Sequence, residues 1–257
     1  MYYCCGITEK GVMSHNEDAM MLHHQVMTKG EKQISVQAPF LAAVCDGVSG
    51  EHAGELASKT CLTHLSQVRF SKRLNLKRKI LEVHRQIAAA TRGKRTIANM
   101  QTTLCCAAFD EFHTMHCINV GDSRIYRCRG GVLEQLSRDQ TLVQMLYEEG
   151  TITSEEKKSH SHRNIILPVI GNLDEDPNPE LKIYPEGLQY GDLLLLCSDG
   201  LTDYVSNTEI EAILAQPKKM QDRLSMLVSL ALKKGGTDNI TIIAIVRYPD
   251  DIPIPSV

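Results

Sequence analysis

The chain has 257 residues with 28 Lys plus Arg against 31 Asp plus Glu, so its formal net charge of -3 gives no global attraction to nucleic acid or an anionic membrane. That length suits one large domain spanning 1-257. No low-complexity tract or repeat divides it, the start Met1-Tyr2-Tyr3-Cys4-Cys5 lacks the features of a secretion signal, and no apolar stretch is long enough for a bilayer. The nine cysteines are an odd number with two adjacent pairs, Cys4-Cys5 and Cys105-Cys106, and no Cys-x-x-Cys, which reads as small apolar strand residues in a reducing, cytoplasmic compartment.

Tyr3 to Thr8 reads as a short strand, and Asn16-Glu17-Asp18 precedes an alternating apolar stretch from Met20 to Met27. Gln33 to Pro39 approaches a buried strand, Phe40 to Cys45, that ends in Asp46-Gly47. From Glu51 the period becomes helical, with Ala53, Leu56, Ala57, Thr60, Cys61, His64 and Leu65 on one stripe, Ser49 as cap, and Glu51 and Glu55 favouring the dipole. A second helix from about Leu74 turns Leu76, Ile80, Val83, Ile87 and Ala90 inward. Its basic residues, Lys72, Arg73, Lys77, Arg78 and Lys79, read as a solvated face.

Thr102 to Phe109, Thr114 to Val120, Ser123 to Cys128 and Val132 to Leu136 are four strand-like segments separated by Asp110-Glu111, Gly121-Asp122 and Gly130-Gly131, the spacing of an antiparallel meander. Thr141 to Tyr147 and Ser154 to Lys158 are helical, the second with Ser154 as cap and Lys157 where an acid would complete a capping box. Lys157 to Arg163 has no clear period and lies over a surface. The run Leu193 to Cys197 is a strand buried on both faces that delivers Asp199 to its tip, followed by helices over Asn207 to Leu214 and Met220 to Leu232. Gly235-Gly236 ends the last helix, and Asp238-Asn239 leads into the strand Ile240 to Val246. Helices early and late around a run of antiparallel strands describe an α+β chain with helices packed outside sheets.

Glu17, Asp18, Asp46, Asp122, Asp199 and Asp238 all fall at strand ends or tight turns. So many carboxylates share one site only if cations neutralise them, and oxygen-only ligands select Mg²⁺ or Mn²⁺ over zinc. Two such ions bind a phosphoryl group and turn a bridging water into hydroxide near neutral pH. His23 with His24, and His160 with His162, read as ordinary polar positions because oxygen ligands suffice for these ions.

Asn16-Glu17-Asp18, Asp46-Gly47 followed by Gly50 and Gly54-Glu55, Thr102-Thr103, Gly121-Asp122-Ser123-Arg124, Ser198-Asp199-Gly200-Leu201 and Asp238-Asn239 resemble, in order, the motif series of the metal-dependent protein phosphatases, the protein phosphatase 2C-like class. The match runs from about Gly6 to Val246 and is similar to compact bacterial members. The resemblance implies a four-layer αββα sandwich, two antiparallel sheets flanked by helix pairs, with the metal centre at one end. By motif position Asp46 bridges two Mn²⁺ or Mg²⁺ ions, Glu17 and the Gly47 carbonyl complete one, and Asp199 and Asp238 the other. Asp18 orients metal-bound water, and Asp122 with Asp199 holds a weaker third ion. Catalysis would rest on Asp18, Asp46, Asp199 and Asp238, hydrolysing phosphoserine or phosphothreonine by direct attack of metal-bridged hydroxide. The implied partner is a phosphorylated protein, the product of a Ser/Thr kinase, and the implied state a monomer.

The chain departs from that pattern at several positions. The family's phosphate-binding arginine before Asn-Glu-Asp is missing: Met13 or Ser14 stands there, in a loop one residue shorter, leaving Lys10, His15 or Arg163 to fill its place. Val48 replaces a histidine common outside bacteria, and Gln140 one common within them. Lys157 to Arg163 corresponds to the flap beside the family's metal site. Two rival readings are a phosphatase dedicated to one regulator, of the anti-sigma antagonist type, and a weakly active or inactive relative that binds phosphoproteins; the complete set of acids argues against the second.

Overall fold

Strands in which every residue is apolar can be buried on both faces, and such strands form the centre of this molecule. The computed structural model describes residues 1-48, 52-94, 100-167 and 169-249. In chain order the first half contains β1 (Tyr2–Glu9), β2 (Ala19–Leu22), β3 (Gln25–Met27), β4 (Gly30–Val36), β5 (Phe40–Cys45), α1 (His52–Ser66), α2 (Leu76–Thr91), β6 (Leu104–Phe109), β7 (Met115–Val120), β8 (Arg124–Arg129) and β9 (Val132–Gln135). The second half adds α3 (Leu142–Glu148), α4 (Ser154–Ser159), β10 (Glu180–Tyr184), β11 (Leu193–Cys197), α5 (Asp199–Thr202), α6 (Asn207–Leu214), α7 (Met220–Lys233) and β12 (Ile240–Arg247). One sheet orders its strands β4-β1-β12-β11-β8-β9 and the other β10-β7-β6-β5-β2-β3, and neighbouring strands run antiparallel.

Strand alternation sorts the core into three layers of contact. In β5, Leu41, Ala43 and Cys45 pack with Cys61, Leu62 and Leu65 of α1 and Ile80, Val83 and Ile87 of α2. The alternate residues Phe40, Ala42 and Val44 meet Leu194, Leu196, Ile243 and Ile245 of the facing sheet. That sheet's outer residues, among them Leu195, Cys197 and Ala244, pack with Ile210 of α6 and Leu224 and Leu227 of α7. The result is helices, sheet, sheet, helices, as expected. Adjacent cysteines obey the same rule: Cys4 and Cys105 face the centre, Cys5 and Cys106 the helices, and all nine are free thiols.

Several local expectations change. Met20 to Met27 is a hairpin, β2 paired with β3 through a turn in which His23 adopts φ 58° without a glycine to signal it. The four-strand meander is split: β6 pairs with β7 in one sheet and β8 with β9 in the other, the chain crossing between sheets at Gly121-Asp122. β10 was not foreseen; it is an edge strand pairing with β7, and Ile183 is 52% exposed. The second small helix is capped by Thr153, one residue earlier than expected, with Glu156 completing the capping box and the helix continuing to Ser159. Leu56 and Ala90 are exposed, whereas His84 and Thr91 are buried in their helix. Ser49, Gly50 and Glu51 lie outside the described residues. No described helix is long and apolar enough to cross a membrane.

Candidate metal centre

The antiparallel pairing that builds the sheets also gathers the acids. β5 ends at Cys45 opposite Ala19, which begins β2, so Asp46 and Asp18 leave neighbouring strands at the same end. β11 ends at Cys197 opposite Ile242, so Asp199 and Asp238 leave the facing sheet there too. Asp122 follows β7. Asp199 is not a bare strand tip as expected: Ser198 is extended and Asp199 opens α5. A Cβ on Gly200 would lie 1.9 Å from the Asn239 carbonyl oxygen, so glycine is required where the two strand ends meet.

Backbone hydrogen bonds fix the acids. The Asp46 carbonyl accepts from Thr102 Oγ1 at 2.7 Å and from the Thr103 N–H at 2.8 Å, while the Asp46 N–H donates to Thr103 Oγ1 at 3.1 Å. Thr103 Oγ1 lies 2.8 Å from Ser123 Oγ. The Glu17 N–H donates to Asn239 Oδ1 at 2.7 Å, and Ser58 Oγ donates to the Glu17 carbonyl at 2.5 Å. Asp18 is 1% exposed and its Oδ2 accepts from Ser198 Oγ at 2.8 Å. A Cβ on Gly54 would lie 2.4 Å from Glu17 Oε2 and 3.0 Å from the Gly47 carbonyl oxygen, so α1 presses these two oxygens into one space.

Electrostatics show that the acids share a field. Burial, with the nearby Asp199 and Asp238 charges, pushes Asp18 up to about 7 against its hydroxyl donors. Asp46 is pushed well above the carboxylate range, first by burial and then by Asp18, Asp199, Asp122 and Asp238. Burial and Asp199 do the same to Asp122. Asp199 rises to about 6, through burial and then Asp238 and Asp203, although a hydrogen bond from Asp46 stabilises its charge. Asp122 Oδ1 and Asp199 Oδ1 are buried without a hydrogen-bond partner among the described residues. Unpaired carboxylate oxygens that raise one another's proton affinity are what hard cations satisfy, so the residues fit a divalent metal. Among the described residues no three His, Cys, Asp or Glu side chains form a ready-made cage. A site completed by a backbone carbonyl and waters needs no such cage.

Beside Asp122 and Asp199 lies a cavity of about 630 Å³, lined by Asp203, Lys157, Arg163 and Lys234 among others. Asp203 sits four residues after Asp199 across α5, and neither it nor the Arg124 pair was singled out from sequence. Arg124 donates through Nε and Nη2 to both oxygens of Asp139, at 2.9 and 2.8 Å, and Lys157 Nζ is 3.6 Å from Asp139 Oδ2. Arg163 lies 3.8 Å from Asp203, and His15 Nε2 lies 3.3 Å from Glu17 Oε1. Met13 is 40% exposed and Val12 71% exposed on the turn that precedes Glu17. The Gln140 side chain accepts from the Gly121 N–H at 2.9 Å, a structural bond next to Asp122. His160 and His162 contact each other, with ring centroids 5.5 Å apart, and His23 and His24 stand at the β2–β3 turn.

A family model described as protein phosphatase 2C matches residues 15-232. The chain is 32% identical over 216 residues to the serine/threonine phosphatase Stp of Listeria monocytogenes, covering 80% of this chain and 84% of that protein. The crystal structure of serine/threonine phosphatase Stp1 from Staphylococcus aureus is 32% identical, with TM-score 0.83 over 97% of this chain and 96% of that one. The catalytic domain of the phosphatase PstP, in complex with two manganese ions, is 30% identical, with TM-score 0.75 over 96% of this chain and 99% of that one. With the family model spanning most of the chain and the layered fold shared along nearly its whole length, this protein belongs to the protein phosphatase 2C family.

Proposed function

We propose that the chain is one catalytic domain that hydrolyses phosphoserine and phosphothreonine in proteins and depends on Mn²⁺ or Mg²⁺. The observation that carries this reading is the convergence of Asp18, Asp46, Asp122, Asp199 and Asp238 at one end of the sandwich, with two of their buried oxygens unpaired. Asp46, central to the cluster, would serve two ions; Glu17 and the Gly47 carbonyl, pressed together by Gly54, would complete one, and Asp199 with Asp238 the other. The unpaired oxygens of Asp122 and Asp199 favour a third, weaker site beside the cavity. Bound divalent ions would neutralise these acids, orient phosphate oxygens and make water a nucleophile near neutral pH.

The remaining work falls to the chain's own residues. Asp18, kept in place by Ser198 Oγ, would orient the attacking water and take up its proton. Water would form the new P–O bond as the bond to the seryl or threonyl oxygen breaks, and the proton taken from that water would return to the departing oxygen, which leaves as a hydroxyl. The relatives named as serine/threonine phosphatases and the manganese-bound PstP structure support the substrate class and the metal. One chain supplies every acid of the centre, which supports a monomer, and nine free thiols support the cytoplasm. Phosphorylated protein from a Ser/Thr kinase is the natural substrate of such a site. The test is phosphate release from a phosphothreonine peptide with Mn²⁺, with and without chelator: release that vanishes on chelation and returns with metal is expected, and undiminished release in excess chelator would refute it.

A further inference from the structure

The stretch Arg69-Phe70-Ser71-Lys72-Arg73-Leu74-Asn75-Leu76-Lys77-Arg78-Lys79 holds six cations and no acid, in a chain whose net charge is -3. Three observations set it apart from a solvated face. First, it borders a concave groove of about 380 Å³ between the end of α1 and the start of α2, lined by Arg69, Arg78 and Lys79 with Val68 and Leu74, and by Glu82 as the one acid among the lining residues. Second, Arg69 and Arg73 are exposed and pair with no acid among the described residues, while Glu82 is shared between Arg78 at 3.5 Å and Lys79 at 3.3 Å. Third, α2 carries Lys77, Arg78 and Lys79 in its first turn and no acid there, although a helix start favours negative charge. Asn75 Oδ1 accepts from the Arg78 N–H at 2.9 Å, so the helix is capped but its charge is left uncompensated. Lys77 Nζ donates to Asn178 Oδ1 at 3.2 Å and Glu82 is shared by Arg78 and Lys79, which leaves six cations around a helix start with one acid lining the groove, a local rule broken in the way functional positions break it.

We propose that this groove docks a carboxylate-rich segment of the phosphoprotein substrate, away from the phosphorylated residue itself. The proposal deepens the phosphatase reading and rests on it. Concavity, with Val68 and Leu74 among otherwise polar lining residues, fits a peptide chain, whose side-chain carboxylates meet the three lining cations and compensate the start of α2; a flat membrane surface cannot enter such a groove. α1 connects the two places: Gly54 touches Glu17 and Gly47, and His64, ten residues on, lines the groove. At 1.5 Å per residue the separation along α1 is about 15 Å, so an extended substrate needs at least about five residues between phosphoresidue and acidic segment.

The experiment uses the whole protein and two phosphothreonine peptides, one with five Asp or Glu residues starting six positions from the phosphothreonine and one with Ser and Gln in their place. Wild type should show KM about tenfold lower for the acidic peptide, an advantage that fades with salt, with kcat alike for both. Arg69→Gln with Arg78→Gln should erase the advantage while leaving kinetics on a small aryl phosphate and the thermal midpoint unchanged; Lys77→Gln, which removes a charge outside the groove lining, should keep it. Equal KM values in wild type, or an advantage that survives in the double variant, would overturn the proposal. So would phosphatidylglycerol vesicles or polyuridine RNA binding the groove more tightly than the acidic peptide. If neither phosphopeptide is hydrolysed, the phosphatase reading fails, and fluorescence anisotropy with the unphosphorylated acidic peptide still decides the groove: binding lost in the double variant supports it, no binding overturns it.

Discussion

Asp46 is the most tightly fixed acid of the proposed centre: its backbone is clamped by Thr102 and Thr103 while its side chain feels the charges of four other aspartates. Asp46→Ala, Asp199→Ala and Asp238→Ala should each lower turnover by several orders of magnitude at unchanged fold, and His160→Ala and His162→Ala by less than about tenfold. Steady-state rates with saturating Mn²⁺ check both groups; near wild-type turnover in Asp46→Ala would contradict the assignment. The missing arginine leaves a second mark at this scale. Two of the side chains named to replace it already face acids, His15 against Glu17 and Arg163 against Asp203, whereas Met13 is 40% exposed on the turn that precedes Glu17. A guanidinium there would meet two phosphate oxygens at once, so Met13→Arg should lower KM for a small aryl phosphate by roughly tenfold with little change in kcat. A KM unmoved by the substitution would show that another cation holds the phosphate.

Elements differ in how clearly their residues announce them. β5 and β11, buried at every position, and α7, with Leu224, Leu227, Val228 and Ala231 on one face, were readable because burial imposes an unmixed pattern. β10 was missed because an edge strand pairs on one side and exposes Ile183, and the β2–β3 hairpin because His23 makes its turn without turn chemistry. Which sheet β8 joins is a matter of long-range pairing, invisible to local spacing; only the family resemblance implied the four layers. The site was legible through its acids, yet Ser198 and Asn239 acquired roles only once the strand ends met. His84 shows a further kind of buried element chemistry. It is 3% exposed in α2, and its Nδ1 accepts from the Gly171 N–H at 3.1 Å, which leaves the proton on Nε2, 3.2 Å from Asp176. Burial lowers its proton affinity more than Asp176 raises it. The unfolded chain therefore binds the proton more readily: the stabilisation is complete above about pH 6.5 and is lost as pH falls from there through the folded value. Urea midpoints at pH 8 and pH 5.5 should fall further in wild type than in His84→Gln; equal falls would remove His84 from the account.

At the scale of the whole molecule, the sandwich supports a centre that works against its own stability. Three apolar layers, including the stacked rings of Phe40 and Phe109 with centroids 4.9 Å apart, hold Asp18, Asp46, Asp122 and Asp199 together at one end, where burial and neighbouring carboxylates oppose their charges. A ligand that binds only the folded state stabilises it by about 2.7 kcal/mol at a hundredfold excess over its dissociation constant, and about 1 kcal/mol moves the midpoint of a domain this size by roughly 2 to 4 °C. Saturating Mn²⁺ should therefore raise the thermal midpoint of the chelator-stripped protein by roughly 5 to 10 °C at pH 7.5. Asp122 separates this effect from a general salt effect, since its Oδ1 is buried without a partner and its charge faces Asp199. Asp122→Asn removes the repulsion without changing the side chain's shape, so in chelator it should melt higher than wild type, while gaining less on Mn²⁺ addition if the residue helps hold an ion. Calorimetry of both proteins, stripped and loaded, reads the two effects independently of activity. A stripped Asp122→Asn protein that melts lower than stripped wild type would show that Asp122 stabilises the metal-free fold, and the repulsion inferred at this end of the sandwich would be wrong.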